Sequence, residues 1–337
     1  MRAIIMDAPF KVRAGAWETP KPGPGEVLVS VQAAGVCAGD LYFYLGKNPY
    51  AVYPQICGHE ISGTVEKLGE GVQRPAVGSR VVVEPFLGCG NCYPCRVGKS
   101  NCCANLRIIG VHLPGGFAEY ITVPASHVHG IPEGLSPFEA SFTEPTAIGV
   151  QAVRRGQVKA GEMVLVLGCG PIGLTLIEVL KARGTRVIVT DLLEDRLTQA
   201  REFGAETMFS DGTLLDRVKG VTGGEGVPVV IEATGNPKAM ESAVGLVAAG
   251  GRIVILGLVP QGVAVSFPGL DFTRKEMTIV GSRASVGCFP EALELLAKGA
   301  IRSPRIAARF NLWDAPEVFE NLHKNPGAIQ KAVFDLT

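Results

Sequence analysis

The sequence lacks any uninterrupted apolar stretch near the roughly 20 residues that a bilayer crossing needs, although 47% of its residues are apolar. The amino-terminal segment MRAIIMDAPFKVRAGAWETP also lacks the long apolar core of a signal peptide. Charge of one sign is missing too, because 32 Lys and Arg balance 32 Asp and Glu. No net field is left to hold a polyphosphate chain, and no basic run has the footprint of a nucleic-acid-binding surface. Internal repeats and low-complexity segments are absent. Membrane and nucleic acid are therefore excluded as expected partners, and a soluble, cytoplasmic protein is the expectation. With 337 residues, the chain exceeds the roughly 250 to 300 at which a single core stops growing, so two domains are expected.

Five of the nine cysteines, Cys89, Cys92, Cys95, Cys102 and Cys103, crowd into fifteen residues. In a large chain without an export signal, that clustering points to metal rather than disulfides. Cys89, Cys92, Cys95 and Cys103 stand as C-x2-C-x2-C-x7-C. A tetrahedral cage of four thiolates satisfies Zn²⁺ with no open position, so this site is expected to be structural. Arg96, Lys99 and loop N–H groups are available to offset its negative charge. Cys102 is the alternative fourth ligand, and a redox pair at Cys92 and Cys95 is the competing reading, though it lacks the usual strand-to-helix setting.

Residues 1 to about 130 read as short β segments broken by Gly and Pro. VLVSVQAAGVC, EISGTVEKLG and GSRVVVEP carry β-branched alternation between turn residues. From about residue 147 the texture changes. MVLVLGCGPIGLTLIEVLKARG reads as apolar strand, Gly-rich turn and helix, and RVIVTD as the next strand. Further apolar runs at VPVVIEATG, GRIVILGLV and MTIVGS alternate with helical stretches such as AMESAVGLVAAG, which predicts a doubly wound parallel sheet. The expected division is 1–146 with 287–337 for a zinc-binding domain and 147–286 for a dinucleotide-binding one. In the tail, EALELLAKG is expected as a helix, and the strand-like KAVFDL is expected to rejoin the first domain.

Gly168, Gly170 and Gly173 have the G-x-G-x-x-G spacing, with Pro171 and Ile172 between the last two. The first Gly permits a tight turn, the second lets backbone approach a pyrophosphate, and the third lets helix pack on strand. Asp191 closes the next strand, eighteen residues after Gly173, where a carboxylate accepts from ribose hydroxyls. It also repels a 2'-phosphate. Like charges at ~4 Å and an effective dielectric of ~20 cost about 4 kcal/mol, and the neighbours Leu192 and Leu193 supply no cation. NAD is thus expected over NADP, with Arg196 in the following helix as a further cofactor-side candidate. The plainer alternative is that Asp191 only caps that helix.

A sparser set comprises Cys37 in AAGVCAGD and Gly58-His59-Glu60 in ICGHEISG. Cys and His are both zinc ligands, but from spacing alone a His beside a Gly is as well explained structurally.

Taken together, GHE at 58–60, the four-cysteine segment, GGFAEY at 115–120 and GCGPIG at 168–173 resemble the zinc-containing medium-chain alcohol dehydrogenase family over essentially the whole chain. The resemblance implies an α/β protein with a GroES-like β-rich catalytic domain and a Rossmann cofactor domain. It implies one catalytic and one structural zinc, with Cys37 and His59 as ligands of the former and Glu60 as a ligand that exchanges with water. Glu144, in FTEPTAIG, is similar to the Glu-Pro of the sorbitol, threonine and sugar-acid dehydrogenase branch. It is expected at the catalytic zinc, directly or through water, against the alternative of a carboxylate serving only a helix amino terminus. Cysteine, imidazole and carboxylate together give zinc a formally neutral shell and leave it a stronger Lewis acid than two thiolates would. The family implies that zinc polarises a secondary alcohol while hydride passes to nicotinamide at a cleft between domains, giving a ketone. A polyhydroxylated small-molecule substrate is therefore expected. A threonine-type amino-alcohol dehydrogenase and a catalytically silent NAD-binding protein are the alternatives.

One departure stands out. Where the family carries a relay Ser or Thr two residues after the zinc cysteine, this chain has Gly39. Zinc-bound water, Glu144, Tyr42 and Tyr44 are the candidates to replace that hydroxyl, and plain packing is the alternative for both tyrosines. MTIVGS near a sheet edge suggests pairing between subunits, so a homodimer or homotetramer is expected.

Overall fold

The computed structural model describes every residue from Met1 to Thr337. The chain divides into two compact units. One comprises Met1–Ala147, Ser285–Gly299 and Ser303–Thr337, and the other Ile148–Ala284 with Ala300–Arg302.

The first unit is built on a seven-stranded sheet around the long strand Glu26–Gly35, which pairs antiparallel with Glu60–Leu68, Tyr120–Pro124 and Ala332–Asp335. Arg80–Val83 and Val128–Gly130 extend one side, and Ala308–Asn311 the other. The three β segments read from the sequence are thus central strands, and the carboxyl-terminal strand joins this sheet as expected. Alternation explains the placement: along Glu26–Gly35, Val27, Val29, Val31 and Ala33 are buried on the pleat's alternate positions. Phe117, Phe319 and Phe334 close the core edge to face, with ring centroids 5.1 Å apart for Phe117 and Phe334 and 6.1 Å for Phe117 and Phe319. All three are 0% exposed, and each such side chain contributes roughly 1.5–3 kcal/mol by leaving water.

The second unit carries a six-stranded sheet, parallel throughout. Numbered along the chain, its strands lie in the order 3-2-1-4-5-6, which is the doubly wound Rossmann arrangement. Its central strand, Met163–Leu167, lies between Arg186–Asp191 and Val227–Glu232. Buried on both faces, these strands read as continuous apolar runs rather than alternating ones. Two local expectations are corrected. AMESAVGLVAAG is not helical to its end, because the helix stops at Leu246 and the strand Val247–Ile255 begins at once; Gly250, at φ 73°, suits no helix interior. The outer strand Glu206–Phe209 went unread, since its half-exposed ETMF carries no apolar run. Thr278–Gly281 forms the opposite edge. No helix is long and apolar enough to cross a membrane.

Candidate functional site

Cys89, Cys92, Cys95 and Cys103 bring their sulfurs within 4.8 Å of one another. The Sγ atoms of Cys92 and Cys95 are 3.4 Å apart, and those of Cys92 and Cys103 are 3.7 Å apart. A tetrahedron with Zn–S near 2.3 Å has edges of about 3.8 Å, so the four sulfurs fit that ion. The thiols also show why a dication belongs there. Backbone N–H groups of Cys95 and Ala104 pull the Cys92 pKa down to about 6, whereas partial burial and the neighbouring Cys92 push Cys95 up to about 12. Four thiolates cannot coexist at neutral pH without a cation between them. Cys103 accepts from the N–H of Cys89 at 3.2 Å and of Asn105 at 3.3 Å. Cys102 is exposed and stands outside the group, and no disulfide joins any pair, since all nine cysteines are free.

The second donor set comprises Cys37, His59 and Glu60, whose ligand atoms also lie within 4.8 Å of one another. Two chain segments meet here, and Asp40 pins both. Cys37 follows the strand Glu26–Gly35 and caps the helix Ala38–Tyr44, and its own N–H donates to Asp40 Oδ2 at 2.8 Å in a reciprocal capping box. The other oxygen, Oδ1, accepts from Gly58 N–H at 3.2 Å and lies 3.7 Å from His59 Nδ1. That ring nitrogen is buried without a closer partner, so Asp40 is positioned to orient the imidazole with Nε2 free as a ligand. Burial works against the imidazolium, yet Asp40, Cys37 and Glu144 together carry the His59 pKa well above the ordinary histidine value. Such a concentration of negative partners fits a bound cation. Gly58, at φ 93°, leaves room for Phe117, whose ring a Cβ would meet at 2.6 Å.

Glu60 opens the strand Glu60–Leu68, and its carboxylate lies over Gly35, where a Cβ would come within 1.9 Å of Oε2. Its other oxygen is held by Lys331 Nζ at 2.5 Å, and Lys331 donates also to Val36 O at 2.9 Å. Burial opposes the ammonium, but Glu60 and Cys37 raise its pKa on balance. Glu144 stands in the first turn of the helix Thr143–Arg155 and is 5% exposed. It does not join the close donor group, but it interacts with His59, Glu60, Lys331 and Asp40. Burial pushes its pKa up to about 7, with His59 pulling it down and Glu60 pushing it up.

Tyr44 is corrected as a candidate for the missing hydroxyl and takes the packing alternative: it lies in the core, its ring centroid 5.3 Å from that of Phe10 and 5.5 Å from that of Phe319. Tyr42 is 55% exposed, one helical turn after Gly39. Asp40 and Lys331 were missed. The Cys-x-x-Asp spacing of a capping box was a readable signal for the first, whereas Lys331 lies 271 positions from Glu60 and has none nearby.

In the second unit, the turn after Met163–Leu167 sits where the strand order reverses, the place where doubly wound sheets bind nucleotides. Each glycine has a separate reason. At Gly168, with φ 97°, a Cβ would strike Thr234 at 2.6 Å, and at Gly173 one would strike Gly168 O at 2.2 Å, while at Gly170 nothing lies within 4 Å. Gly170 is thus the open side of the turn, heading the helix Pro171–Ala182, and a pyrophosphate fits that opening. Pro171 and Ile172 form its first residues. Asp191 accepts from Cys169 N–H at 2.8 Å and from Leu193 N–H at 3.0 Å, so it fastens the glycine turn and the segment after its own strand. Leu193, not Asp191, occupies the cap position of the next helix. The flanking Leu192 and Leu193 supply no cation, but Arg196 does, lying 3.6 Å from Asp191.

Residues 23–133 match the alcohol dehydrogenase GroES-like domain family and residues 171–298 the zinc-binding dehydrogenase family. The chain belongs to the zinc-containing medium-chain alcohol dehydrogenases. It is 37% identical to the L-galactonate-5-dehydrogenase of Escherichia coli K12 over 309 residues, which span 89% of this chain and 88% of that one. In fold it is similar to a short chain alcohol dehydrogenase (rspB) of E. coli CFT073 complexed with NADH, with TM-score 0.93, 34% identity and coverage of 100% and 99%. A putative zinc-binding dehydrogenase of Sinorhizobium meliloti bound to NADP matches with TM-score 0.91, 33% identity and coverage of 99% and 98%. The chain is thus an oxidoreductase of the alcohol-to-ketone class that uses a nicotinamide cofactor.

Proposed function

We propose that this enzyme oxidises a secondary hydroxyl of a polyol or sugar acid to a ketone with NAD, and that each chain holds two zinc ions. The observation that carries the reading is the Cys37, His59 and Glu60 group, whose charged surroundings are completed by the Glu144 carboxylate rather than by another thiolate. Zinc, when bound there, supplies Lewis acidity that lowers the pKa of the substrate hydroxyl. Asp40 holds both ligand segments in place and lies 3.7 Å from the His59 ring nitrogen, and Lys331 draws Glu60 to one side and balances its charge. Glu144, buried in the first turn of its helix, adds a further carboxylate to the surroundings of His59 and Glu60. The substrate class of the E. coli galactonate enzyme supports the choice of polyhydroxylated compounds. Asp191 at the strand end supports NAD, and the exposed edge strand Thr278–Gly281 supports pairing into a homodimer or homotetramer.

The test is a panel of polyols, aldonates and amino alcohols followed by NADH absorbance, with zinc counted on the same preparation before and after mild chelation. The expected result is turnover of polyols or aldonates, two zincs at the start, and one, retained in the four-thiolate cage, at the end. Fully active enzyme with a single zinc defeats the two-site reading, and preference for amino alcohols redirects the substrate to the threonine type.

A further inference from the structure

Most glycines around the two ligand segments have a visible reason. Gly35 and Gly58 are required by close neighbours, Glu60 in one case and the Phe117 ring in the other. Gly39 has none. Its φ lies outside the left-handed region, and it occupies the first turn of the helix Ala38–Tyr44, where glycine weakens a helix relative to alanine. A Cβ built on it meets only His59 Cε1 at 3.8 Å and Cys37 Sγ at 3.9 Å, both ordinary contacts. The missing side chain therefore leaves a space bordered by two of the three donor residues. Gly39 is only half-buried, so that space is within reach of water.

We propose that Gly39 is a specificity-determining residue, and that the space above it receives a second hydroxyl on the carbon next to the one oxidised, so that the preferred substrates are vicinal diols. This rests on the polyol reading above. Cys37 and His59 are committed as donors, Glu60 is held by Lys331, Glu144 stands outside the close donor group, and residue 39 has no group to take a proton. The substrate's neighbouring hydroxyl does so. The reacting O–H bond breaks and its proton passes to the vicinal oxygen, which releases its own proton to water. The adjacent C–H bond breaks with its electron pair passing to oxidised nicotinamide, so the carbinol becomes a ketone and the cofactor is reduced.

The experiment compares 2,3-butanediol with 2-butanol on the zinc-loaded enzyme and on its Gly39→Ala and Gly39→Ser variants, with melting temperature and zinc content as controls. For the wild type, kcat/KM for the diol exceeds that for 2-butanol on the order of 100-fold, the lower range for a positioned proton acceptor. Gly39→Ala fills the space and lowers that ratio about tenfold or more. Gly39→Ser lowers it further by raising turnover of 2-butanol, because the protein then supplies the hydroxyl. Calorimetry on enzyme saturated with NADH, where no hydride acceptor is present, reads binding alone, and Gly39→Ala is expected to weaken the diol about tenfold. Equal handling of both alcohols by the wild type, or a ratio unmoved by Gly39→Ala, overturns the inference while leaving polyol oxidation standing. If no alcohol turns over, the polyol reading fails, and unchanged diol affinity in Gly39→Ala then overturns this inference as well.

Discussion

The two metal centres of the first unit are assembled in opposite ways. The four-thiol cage is written within fifteen residues, leaves Cys89 exposed and Cys92 and Cys95 half-buried, and takes its hydrogen bonds from its own loop. The Cys37, His59 and Glu60 set is buried deeper and is held by Asp40 and Lys331, which lie outside its donor list. A closed site needs only its ligands, whereas a site that must admit substrate needs supports to keep its ligands in place when the shell is incomplete.

This contrast is tested most strongly by exchanging ligands. Cys37→Ser is expected to lower turnover about 1,000-fold or more, since metal assistance is worth several kcal/mol at about 1.4 kcal/mol per tenfold, with the melting temperature near that of the wild type. Cys92→Ser is expected to lose one zinc and to melt earlier, while turnover per folded molecule is largely kept. If both variants fail in the same property, the distinction between a structural and a catalytic centre collapses.

Removing a support comes next. Lys331→Met leaves Glu60 buried without its cation, and breaking such a pair typically costs 3–5 kcal/mol. Urea unfolding should show a loss of about that size, and a loss well under 1 kcal/mol would make the pair incidental.

Glu144 sharpens the comparison through pH. Its pKa in the metal-free fold stands at about 7, above the usual carboxyl value. Its protonated form is therefore favoured by folding, and the stability it contributes is complete below about pH 4.5 and is lost as pH rises through about 7. Metal-free wild type should melt progressively earlier over that window, and Glu144→Gln should flatten the trend while lowering turnover of the zinc-loaded enzyme 10- to 100-fold. A melting profile that is the same in wild type and variant would place Glu144 away from the buried charge cluster.

The smallest effect is expected in the second unit. Asp191→Ala removes a charge that repels a 2'-phosphate and releases Arg196; because Arg196 already offsets part of that charge, the ratio of kcat/KM for NADP to NAD should rise only about tenfold. An unchanged ratio would reduce Asp191 to the turn fastener its two N–H bonds describe.

What could be read in advance follows the same division. Local patterns were legible: the cysteine spacing, the glycine turn, and the apolar runs that became the parallel sheet. Legibility failed where a role depends on distant chain. Lys331 is an ordinary lysine until the last strand brings it to Glu60, and Arg196 supplies the cation that the residues flanking Asp191 do not. Tyr44 shows the converse, since a hydroxyl near a zinc cysteine in sequence turned inward to an aromatic core because its helix face packs on the helix carrying Phe319.

The aromatic contact of Phe117 with Phe319 and Phe334 also sets an order of events during synthesis. The amino-terminal segment of the first unit ends at Ala147, but two of these three rings, and Lys331 with them, belong to its final segment, Ser303–Thr337. At ~5–20 residues per second, roughly 10 to 40 s separate the two on the ribosome. The nucleotide-binding unit completes its sheet during that interval, while Glu60 still awaits its partner. The surroundings of Glu60 are thus the last to mature, and a nascent chain released short of Lys331 would carry a formed Rossmann sheet and an unfinished catalytic core.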